Sequence, residues 1–249
     1  MTPPWFEADW PAPRGVHVLS TQRGGLGSGA SRAPYAYFNL GDHVGDAPAA
    51  VAENRRRLRV EAKLPAEPSW LSQVHGNVVA QLDAEAPLKG PADGAIARQA
   101  GKVCAILTAD CLPVVFAADR GECVAAAHAG WRGLAAGVLE ATVHALGVPP
   151  ERLLAWLGPA IGPEHFEVGA EVRTAFLQND PAADGAFRPS PRGRFMADLG
   201  ALAVRRLEKL GLTRIYGSGE CTYAQSDRYF SYRREGITGR QATLIWREE

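Results

Sequence analysis

Closely spaced apolar segments in the middle of the chain predict three consecutive buried strands. Between residues 102 and 130 the runs VCAIL, LPVVFA and CVAAA are separated only by short polar segments. Short apolar runs bounded by turn residues are typical of strands buried on both faces. Cys111 begins the second strand and His128 ends the third, so antiparallel pairing would place both at one sheet edge. We therefore expect a Cys–His nucleophile pair or part of a metal site there.

Helical periodicity predicts four helices, at residues 46–64, 131–147, 170–178 and 195–211. The last has the clearest pattern, because an apolar stripe lies opposite a charged face. Its apolar stripe is Leu199, Leu202, Val204, Leu207 and Leu210. Its outward residues are Asp198, Arg205, Arg206, Glu208 and Lys209. A helix with one apolar face covers a core from outside, so we expect peripheral helices.

Further strand-like segments lie on both sides of the central runs. They are VHVLST, WLSQV, NVVAQL, GAIA, RLLAWLGP, RIYGSG, YFSYRR and ATLIW. Strands outnumber helices without regular alternation, which favours mixed or antiparallel sheets over a doubly wound fold. The segment 179–194, rich in Pro, Gly and Asp, predicts a mobile loop. Because no repeat or linker interrupts the chain, we expect a single α+β domain over residues 1–249.

Charge and composition exclude several classes of partner. Lys+Arg and Asp+Glu are both 27, so the formal net charge is zero and gives no general attraction to nucleic acid or anionic membranes. No apolar run approaches the ~20 residues of a membrane span. The N-terminus lacks the pattern of a signal peptide. We therefore expect a cytoplasmic protein whose four cysteines are free thiols.

Three residues at strand ends carry the candidate chemistry: His75 in QVHG, Cys111 in ADCLP and His128 in AHAGWRG. Two imidazoles and a thiolate suit Zn²⁺, and three protein ligands leave the fourth position open, as in catalytic zinc sites. Such a metal ion lowers the pKa of a bound water to about 7. Copper is the competing metal, but its electron-transfer sites add a weak axial Met. The chain has only Met1 and Met196, and neither lies near a candidate ligand in the sequence.

An ordered series of motifs resembles one known family over essentially the whole chain. The motifs are STQRGG, FNLGDHVGD, ENRRRL, QVHG, ADG, TADCLPV, HAGWRG, GPAIG followed by FEVG, and SYRREGITGR. Together they resemble the YfiH-type family, first labelled laccase-domain or polyphenol oxidase proteins and later described as purine nucleoside phosphorylases. The resemblance implies a single-domain, layered α/β/β/α fold with mixed sheets. It also implies that His75, Cys111 and His128 bind zinc.

The activity that the resemblance implies is phosphorolysis of purine nucleosides. Adenosine, inosine and methylthioadenosine would react with phosphate to give a free purine and a pentose 1-phosphate. Adenosine deamination at the same site is also implied. The partners are then nucleosides and phosphate, with neither nucleic acid nor membrane, and we expect a monomer or a homodimer.

Phosphorolysis requires an anion site near the sugar. Arg132 follows His128 by four residues and begins a predicted helix, whose N-terminus attracts anions, so it is the first candidate. Three weaker candidates for substrate or phosphate contact are Arg23, Asn39 and Arg55. Deamination would also need a carboxylate to move protons. Asp110, next to Cys111, is a candidate for that role, although it could equally cap a strand end.

Other hypotheses remain open from the sequence. Cys111 and His128 could form a Cys–His hydrolase without metal. The older label of the family would make the protein a copper-dependent polyphenol oxidase. In a third alternative, zinc only joins strands and the protein has no catalytic activity.

Overall fold

The apolar runs form the centres of two stacked sheets. The structure is a computed structural model that describes residues 3–84 and 90–249. In chain order its strands are β1 (Trp5–Glu7), β2 (Val16–Thr21), β3 (Ser69–Trp70), β4 (Val79–Gln81), β5 (Gly94–Ala97), β6 (Val103–Thr108), β7 (Leu112–Ala118), β8 (Val124–Ala129), β9 (Leu153–Leu157), β10 (Glu167–Val168), β11 (Phe187–Ser190), β12 (Arg194–Ala197), β13 (Arg214–Gly217) and β14 (Gln241–Arg247). Its α-helices are α1 (Pro48–Glu61), α2 (Trp131–Ala135), α3 (Val138–Leu146), α4 (Ala170–Leu177), α5 (Leu199–Lys209) and α6 (Tyr232–Glu235).

Both large sheets combine parallel and antiparallel pairs. The first has the order β1-β2-β14-β6-β3, and the second has the order β13-β9-β7-β8-β5-β4. The pairs β3–β6, β4–β5 and β9–β13 are parallel, whereas the central pairs of each sheet are antiparallel. A third, smaller sheet is antiparallel and has the order β10-β12-β11. The prediction of mixed sheets is confirmed.

Three apolar cores give the chain its layers. Between the large sheets, residues of the first sheet such as Val18 and Ile106 pack with Val115 and Trp156 of the second. The outer face of the first sheet packs against Leu58 of α1. The outer face of the second sheet packs against α3, α4 and α5. The layers of the fold therefore follow in the order helix, sheet, sheet and helices. This order confirms the α+β class and the α/β/β/α layering.

Two predicted helices differ from the structure for local reasons. The predicted helix 131–147 is divided into α2 and α3, because Gly137 between them has a left-handed φ of 90°. The predicted helix 195–211 begins only at Leu199, because the side chain of Asp198 caps the N-terminus by accepting a hydrogen bond from the backbone N–H of Ala201. The residues before this cap pair as strand β12.

Two other segments also differ from their predictions. The predicted mobile loop 179–194 contains a 3₁₀ helix at Pro181–Ala186 and the paired strand β11. The predicted strand 229–234 instead contains the start of α6, which Ser231 caps by accepting a hydrogen bond from the N–H of Arg234. In both segments, local hydrogen bonds determine the conformation, which the spacing of apolar residues does not predict.

The described helices include none with the length and apolarity that a membrane crossing requires.

The core between the sheets should dominate stability. Trp156 on β9 is 1% exposed and contacts both sheets, so we expect Trp156→Ala to lower the free energy of unfolding by about 3–5 kcal/mol. Val60 on α1 is 61% exposed, and Val60→Ala should change the free energy of unfolding by less than about 0.5 kcal/mol. Urea unfolding of both variants measures the difference, and equal midpoints would contradict the assignment of this core.

Candidate metal centre

Strand pairing brings Cys111 and His128 to the same edge of the second sheet. Strand β7 begins immediately after Cys111, and Leu112 lies opposite Ala129 at the end of the antiparallel β8. The imidazole of His128 and the thiol of Cys111 therefore meet where the sequence predicted. His128 is buried and Cys111 is half-buried.

His75 reaches the same place from the segment that joins β3 to β4. Its Nε2 lies 3.8 Å from the Sγ of Cys111, and its ring centroid lies 4.8 Å from that of His128. One ligand atom from each of the three residues lies within 4.8 Å of the other two. The structure thus brings together the three predicted ligands in a single cluster.

A buried carboxylate, that of Asp93, holds two of these residues. Its Oδ1 accepts hydrogen bonds from Nδ1 of His128 at 2.8 Å and from the backbone N–H of His75 at 2.9 Å. Its Oδ2 accepts hydrogen bonds from the backbone N–H groups of Val74 at 3.1 Å and Gly76 at 2.7 Å. Three consecutive amides therefore turn around one side chain. This anchoring supports the left-handed φ of 62° at His75, a conformation uncommon for residues other than glycine.

The position of Asp93 follows from the sheet. It lies immediately before β5, which pairs with β8, and its carbonyl oxygen accepts a hydrogen bond from the N–H of His128 at 2.7 Å. Because an ionised carboxylate only accepts hydrogen bonds, Nδ1 of His128 carries the proton. In the neutral imidazole the lone pair therefore lies on Nε2, so a metal ion binds there once His128 has released its second proton.

Glycines in the HAGWRG motif allow the close approach of these residues. A Cβ atom on Gly130 would lie 2.8 Å from the Sγ of Cys111 and 2.9 Å from Cδ2 of His75. A Cβ atom on Gly133 would lie 2.9 Å from the carbonyl oxygen of Gly76. Each contact is shorter than van der Waals packing permits. These two positions explain why the turn from β8 into α2 contains glycines.

Electrostatic interactions favour charged forms of the thiol and the imidazole. Burial alone would raise the pKa of the Cys111 thiol, but His128 and His75 together bring the pKa below its usual value. Burial would likewise lower the pKa of His128, whereas the negative charge of Cys111 and the hydrogen bond to Asp93 raise it. For Asp93, the hydrogen bonds from His128 and the backbone outweigh burial and lower the pKa. Cys111 is therefore disposed to be a thiolate, the form that binds metals.

The donor set fits a transition-metal ion. Zinc binds thiolate sulfur at about 2.3 Å and imidazole nitrogen at about 2.0–2.1 Å, so two of its ligand atoms lie roughly 3.5 Å apart. The 3.8 Å between Cys111 and His75 is close to that spacing. A carboxylate behind a ligand histidine, such as Asp93 behind His128, is a regular partner of metal sites. The residues present are thus those that a His₂Cys metal centre requires.

The cluster lies in the wall of a cavity of about 560 Å³. That volume is in the usual range for small-molecule sites. Three arginines, Arg132, Arg233 and Arg240, contribute to its wall. The guanidinium of Arg132 stacks on Trp131 at 4.5 Å, and that of Arg233 stacks on Phe166 at 5.4 Å. Cations and aromatic faces therefore surround the metal ligands.

Of the predicted catalytic residues, Arg132 and Asp110 both line this cavity. The carboxylate of Asp110 is already engaged, since it accepts hydrogen bonds from the hydroxyl of Thr222 at 2.7 Å and from the N–H of Arg233 at 2.7 Å. Its φ is 95°, directly before Cys111. These contacts join the residue before Cys111 to the C-terminal segment, and the role of Asp110 in proton transfer stays a prediction.

The predicted substrate contacts Arg23, Asn39 and Arg55 are not among the described residues of the cavity wall. Arg23 forms an ion pair with Glu235 at 2.7 Å. Asn39 is fully buried and its Oδ1 accepts a hydrogen bond from the N–H of Arg240.

The guanidinium of Arg55 donates to the carbonyl oxygen of Leu40 and stacks over Trp70 at 4.3 Å. Arg23, Asn39 and Arg55 thus hold segments that flank the cavity. Their side chains bond to neighbouring protein groups, and their contact with substrate or phosphate stays a prediction.

Sequence reasoning missed several residues of the site. Asp93 belongs to the ADG motif, and Arg233 and Arg240 belong to SYRREGITGR. Neither motif by itself indicates a role for these residues. The signal that the sequence offered for Asp93 was an acidic residue between two small residues, directly before the apolar strand GAIA.

The structure offers no described methionine at the cluster. Met196 lies on β12 outside the cavity wall, and Met1 lies outside the described residues.

Comparison with known proteins identifies close relatives. A family model described as multi-copper polyphenol oxidoreductase laccase matches residues 16–248. Purine nucleoside phosphorylase PA4543 of Pseudomonas aeruginosa is 52% identical over 246 residues, covering 98% of this chain and 99% of that protein. Purine nucleoside phosphorylase YfiH of Escherichia coli is 50% identical over 237 residues, covering 95% of this chain and 96% of that protein.

Solved structures show the same fold. The Neisseria meningitidis protein NMB0706 superposes with a TM-score of 0.91 at 45% identity, covering 99% of this chain and 100% of that one. YlmD from Geobacillus stearothermophilus superposes with a TM-score of 0.92 at 30% identity, covering 100% of this chain and 98% of that one.

Replacing Asp93 should weaken metal binding through its two ligand histidines. In Asp93→Asn, an NH₂ group replaces one of the two carboxylate oxygens. That NH₂ group would face N–H donors of the protein, to which it cannot form hydrogen bonds. We expect the affinity for Zn²⁺ to fall about 10- to 100-fold in a titration against a competing chelator. Asp83→Asn is the matched control, because Asp83 accepts two backbone hydrogen bonds in an exposed turn. Equal zinc affinities for the two variants would contradict the anchoring role.

Proposed function

The chain belongs to the family described as multi-copper polyphenol oxidoreductase laccase, and we propose that it is a zinc-dependent purine nucleoside phosphorylase. Relatives named purine nucleoside phosphorylase are about half identical to it over nearly their full lengths. The observation that carries the proposal is the His75, Cys111 and His128 cluster inside a cavity lined by three arginines. We propose further that residues 1–249 act as one domain, since the sheets share a core.

The proposed substrates are adenosine, inosine and methylthioadenosine together with phosphate. The products are a free purine and a pentose 1-phosphate, and adenosine deamination is a proposed side activity. Phosphate is a tetrahedral anion, and a guanidinium group can donate two parallel hydrogen bonds to a pair of its oxygens. Arg132, Arg233 and Arg240 are therefore proposed to bind phosphate and to orient it toward the sugar.

Two of these arginines are held in place by hydrogen bonds, and Arg132 stacks on Trp131. Arg240 donates to the carbonyl oxygens of Thr238 at 3.0 Å and Gly239 at 2.9 Å. Arg233 donates to the carbonyl oxygen of Glu167 at 2.9 Å. A side chain ordered before the ligand arrives loses less conformational entropy on binding. The cavity is in this sense prepared for an anion.

Zinc fits the donor set better than copper, and when bound it would supply a Lewis acid or an activated water at neutral pH. His75, Cys111 and His128 would hold it, and Asp93 would fix the tautomer of His128. Asp110 would position Cys111 through its hydrogen bonds to Thr222 and Arg233. The aromatic faces of Trp131, Phe166 and Tyr232 would offer stacking surfaces to a purine.

One observation favours a second candidate function. Asp93, His128 and Cys111 also form the orienting group, base and nucleophile of a Cys–His hydrolase, with the Asp93–His128 distance at 2.8 Å. That enzyme would need neither metal nor phosphate. The two candidates therefore differ in both requirements.

Conversion of inosine should require both phosphate and metal. We expect the zinc-loaded protein to form hypoxanthine and ribose 1-phosphate only when phosphate is present. Removal of the metal by a chelator should abolish this activity, and addition of zinc should restore it. Cys111→Ser should lose at least about 100-fold in kcat/KM, because one of three ligands is removed. Chromatography of the products together with metal analysis measures these outcomes.

Two results would contradict the proposal. Conversion that does not need phosphate, in a metal-free preparation, would establish the hydrolase. Chelation that only lowers the melting temperature, in a protein that no nucleoside stabilises against heat, would indicate a structural zinc.

The position of the phosphate site is tested by a pair of arginines. Loss of a charged hydrogen bond costs about 1.5–3 kcal/mol, so Arg132→Ala should raise the KM for phosphate about tenfold or more. Arg56→Ala is the matched control, since Arg56 is an exposed arginine on α1 paired with Glu53. Steady-state kinetics at saturating inosine measures both. A raised KM in Arg55→Ala, with Arg132→Ala unchanged, would place the phosphate on the α1 side instead.

A further inference from the structure

A second Cys–His pair lies outside the metal centre. The Sγ of Cys221 lies 3.7 Å from Nδ1 of His165. The imidazole of His165 is stacked on Tyr223 with ring centroids 4.6 Å apart, which fixes the orientation of the ring. Neither residue takes part in the phosphorylase proposed above.

Backbone N–H groups also face the sulfur of Cys221. The N–H of Gly162 donates to Sγ at 3.1 Å and that of Ala224 at 3.4 Å. A Cβ atom on Gly162 would lie 3.2 Å from Sγ, so a glycine is what allows this close approach. Donors around a sulfur stabilise negative charge on it, and the thiolate is the reactive form of cysteine.

A cavity of about 340 Å³ gives access to this pair. Five glycines contribute to its wall: Gly158, Gly162, Gly200, Gly217 and Gly219. Its acidic residues are Glu164, Asp198 and Glu220, and its described lining contains no Lys or Arg. The charged side chains of the described lining are thus all carboxylates, of which Glu164 pairs with Arg188 and Glu220 with Arg228. The cavity therefore suits a small neutral molecule.

The other cysteines are poorly placed to compete. Cys104 is 0% exposed, and burial raises the pKa of its thiol well above the usual value. Cys123 is 2% exposed and burial raises its pKa as well. Cys111 belongs to the metal centre, where a bound ion would occupy its sulfur.

We propose that Cys221 is a second reactive thiol, at which small neutral α,β-unsaturated carbonyl compounds add covalently with His165 as the base. Nδ1 of His165 accepts the thiol proton, and the sulfur donates an electron pair to the β-carbon to form the C–S bond. The carbon–carbon π bond breaks, its electrons pass to the carbonyl oxygen, and the resulting enolate takes a proton at the α-carbon from the imidazolium. The step is redox-neutral and has no leaving group.

The adduct would act on the metal centre through a short chain of contacts. Thr222, next to Cys221, donates its hydroxyl to Asp110 at 2.7 Å, and Asp110 precedes the ligand Cys111. The N–H of Ile161, next to Gly162, donates to the carbonyl oxygen of Asp110 at 2.9 Å. Because Gly162 donates to the sulfur and Thr222 is the next residue, an adduct on Cys221 would move both and should loosen the position of Cys111.

The site of addition is tested on the full-length protein carrying its metal. The protein is treated with one equivalent of N-ethylmaleimide, and the adducts are located by peptide mass mapping over time. We expect Cys221 to be modified first, and a maleimide that bears a carboxylate to react more slowly there. Earlier modification of Cys111 or Cys123, or equal rates for the neutral and anionic reagents, would overturn the proposal.

The role of His165 is tested with a matched pair of variants. His165→Gln should slow modification of Cys221 about tenfold or more, because the base is removed. His144→Gln, which replaces an exposed histidine at the end of α3, should leave the rate unchanged. Equal rates in the two variants would overturn the role of the base, and the comparison of neutral and anionic reagents needs no variant to fold.

The coupling to the metal centre has its own readout. Protein fully modified at Cys221 should release zinc to a chelator faster than unmodified protein, whereas Cys221→Ser treated in parallel should be unaffected by the reagent. Unchanged zinc release after complete modification would overturn the coupling.

Discussion

The site depends most on one buried carboxylate, that of Asp93. It joins the start of strand β5 to the ring of His128 and to three consecutive amides around His75. Burial of an unpaired carboxylate costs several kcal/mol, so these four hydrogen bonds offset the cost of burying Asp93 and also position the site. Because one residue satisfies both needs, the two histidines cannot move independently of the second sheet.

The cavity is completed by segments far apart in sequence. Its cationic wall comes from Arg132 at the start of α2 and from Arg233 and Arg240 near the C-terminus. The C-terminal segment is fixed by β14, which pairs with β2 and β6 at the centre of the first sheet. Asp110 connects this segment to the thiol ligand. The candidate metal centre is therefore connected to both sheets through a few polar contacts.

How much could be predicted from the sequence depended on the kind of interaction. The meeting of Cys111 and His128 followed from adjacent apolar strands, since antiparallel neighbours bring the start of one to the end of the other. The approach of His75 could not be derived that way, because it lies outside the strands and is held by Asp93. Its expected position at a strand end and the motif resemblance both made His75 a candidate, but neither indicated its contact with Asp93.

The same resemblance could not separate residues that line the cavity from residues that support its wall. Asn39 and Arg240 show the difference, since Asn39 is buried behind Arg240 and Arg240 faces the cavity. The predicted helix boundaries were wrong where one residue determines them. Gly137 does so through its left-handed backbone, and Asp198 through its capping hydrogen bond. Such contacts leave little trace in hydrophobic periodicity.

The most direct test of the account is X-ray absorption spectroscopy of the protein loaded with one equivalent of zinc. The account predicts one sulfur neighbour at about 2.3 Å and two imidazole nitrogens at about 2.0–2.1 Å, with the sulfur lost in Cys111→Ser. A zinc ion surrounded only by oxygen, or one whose sulfur neighbour persists in that variant, would contradict it.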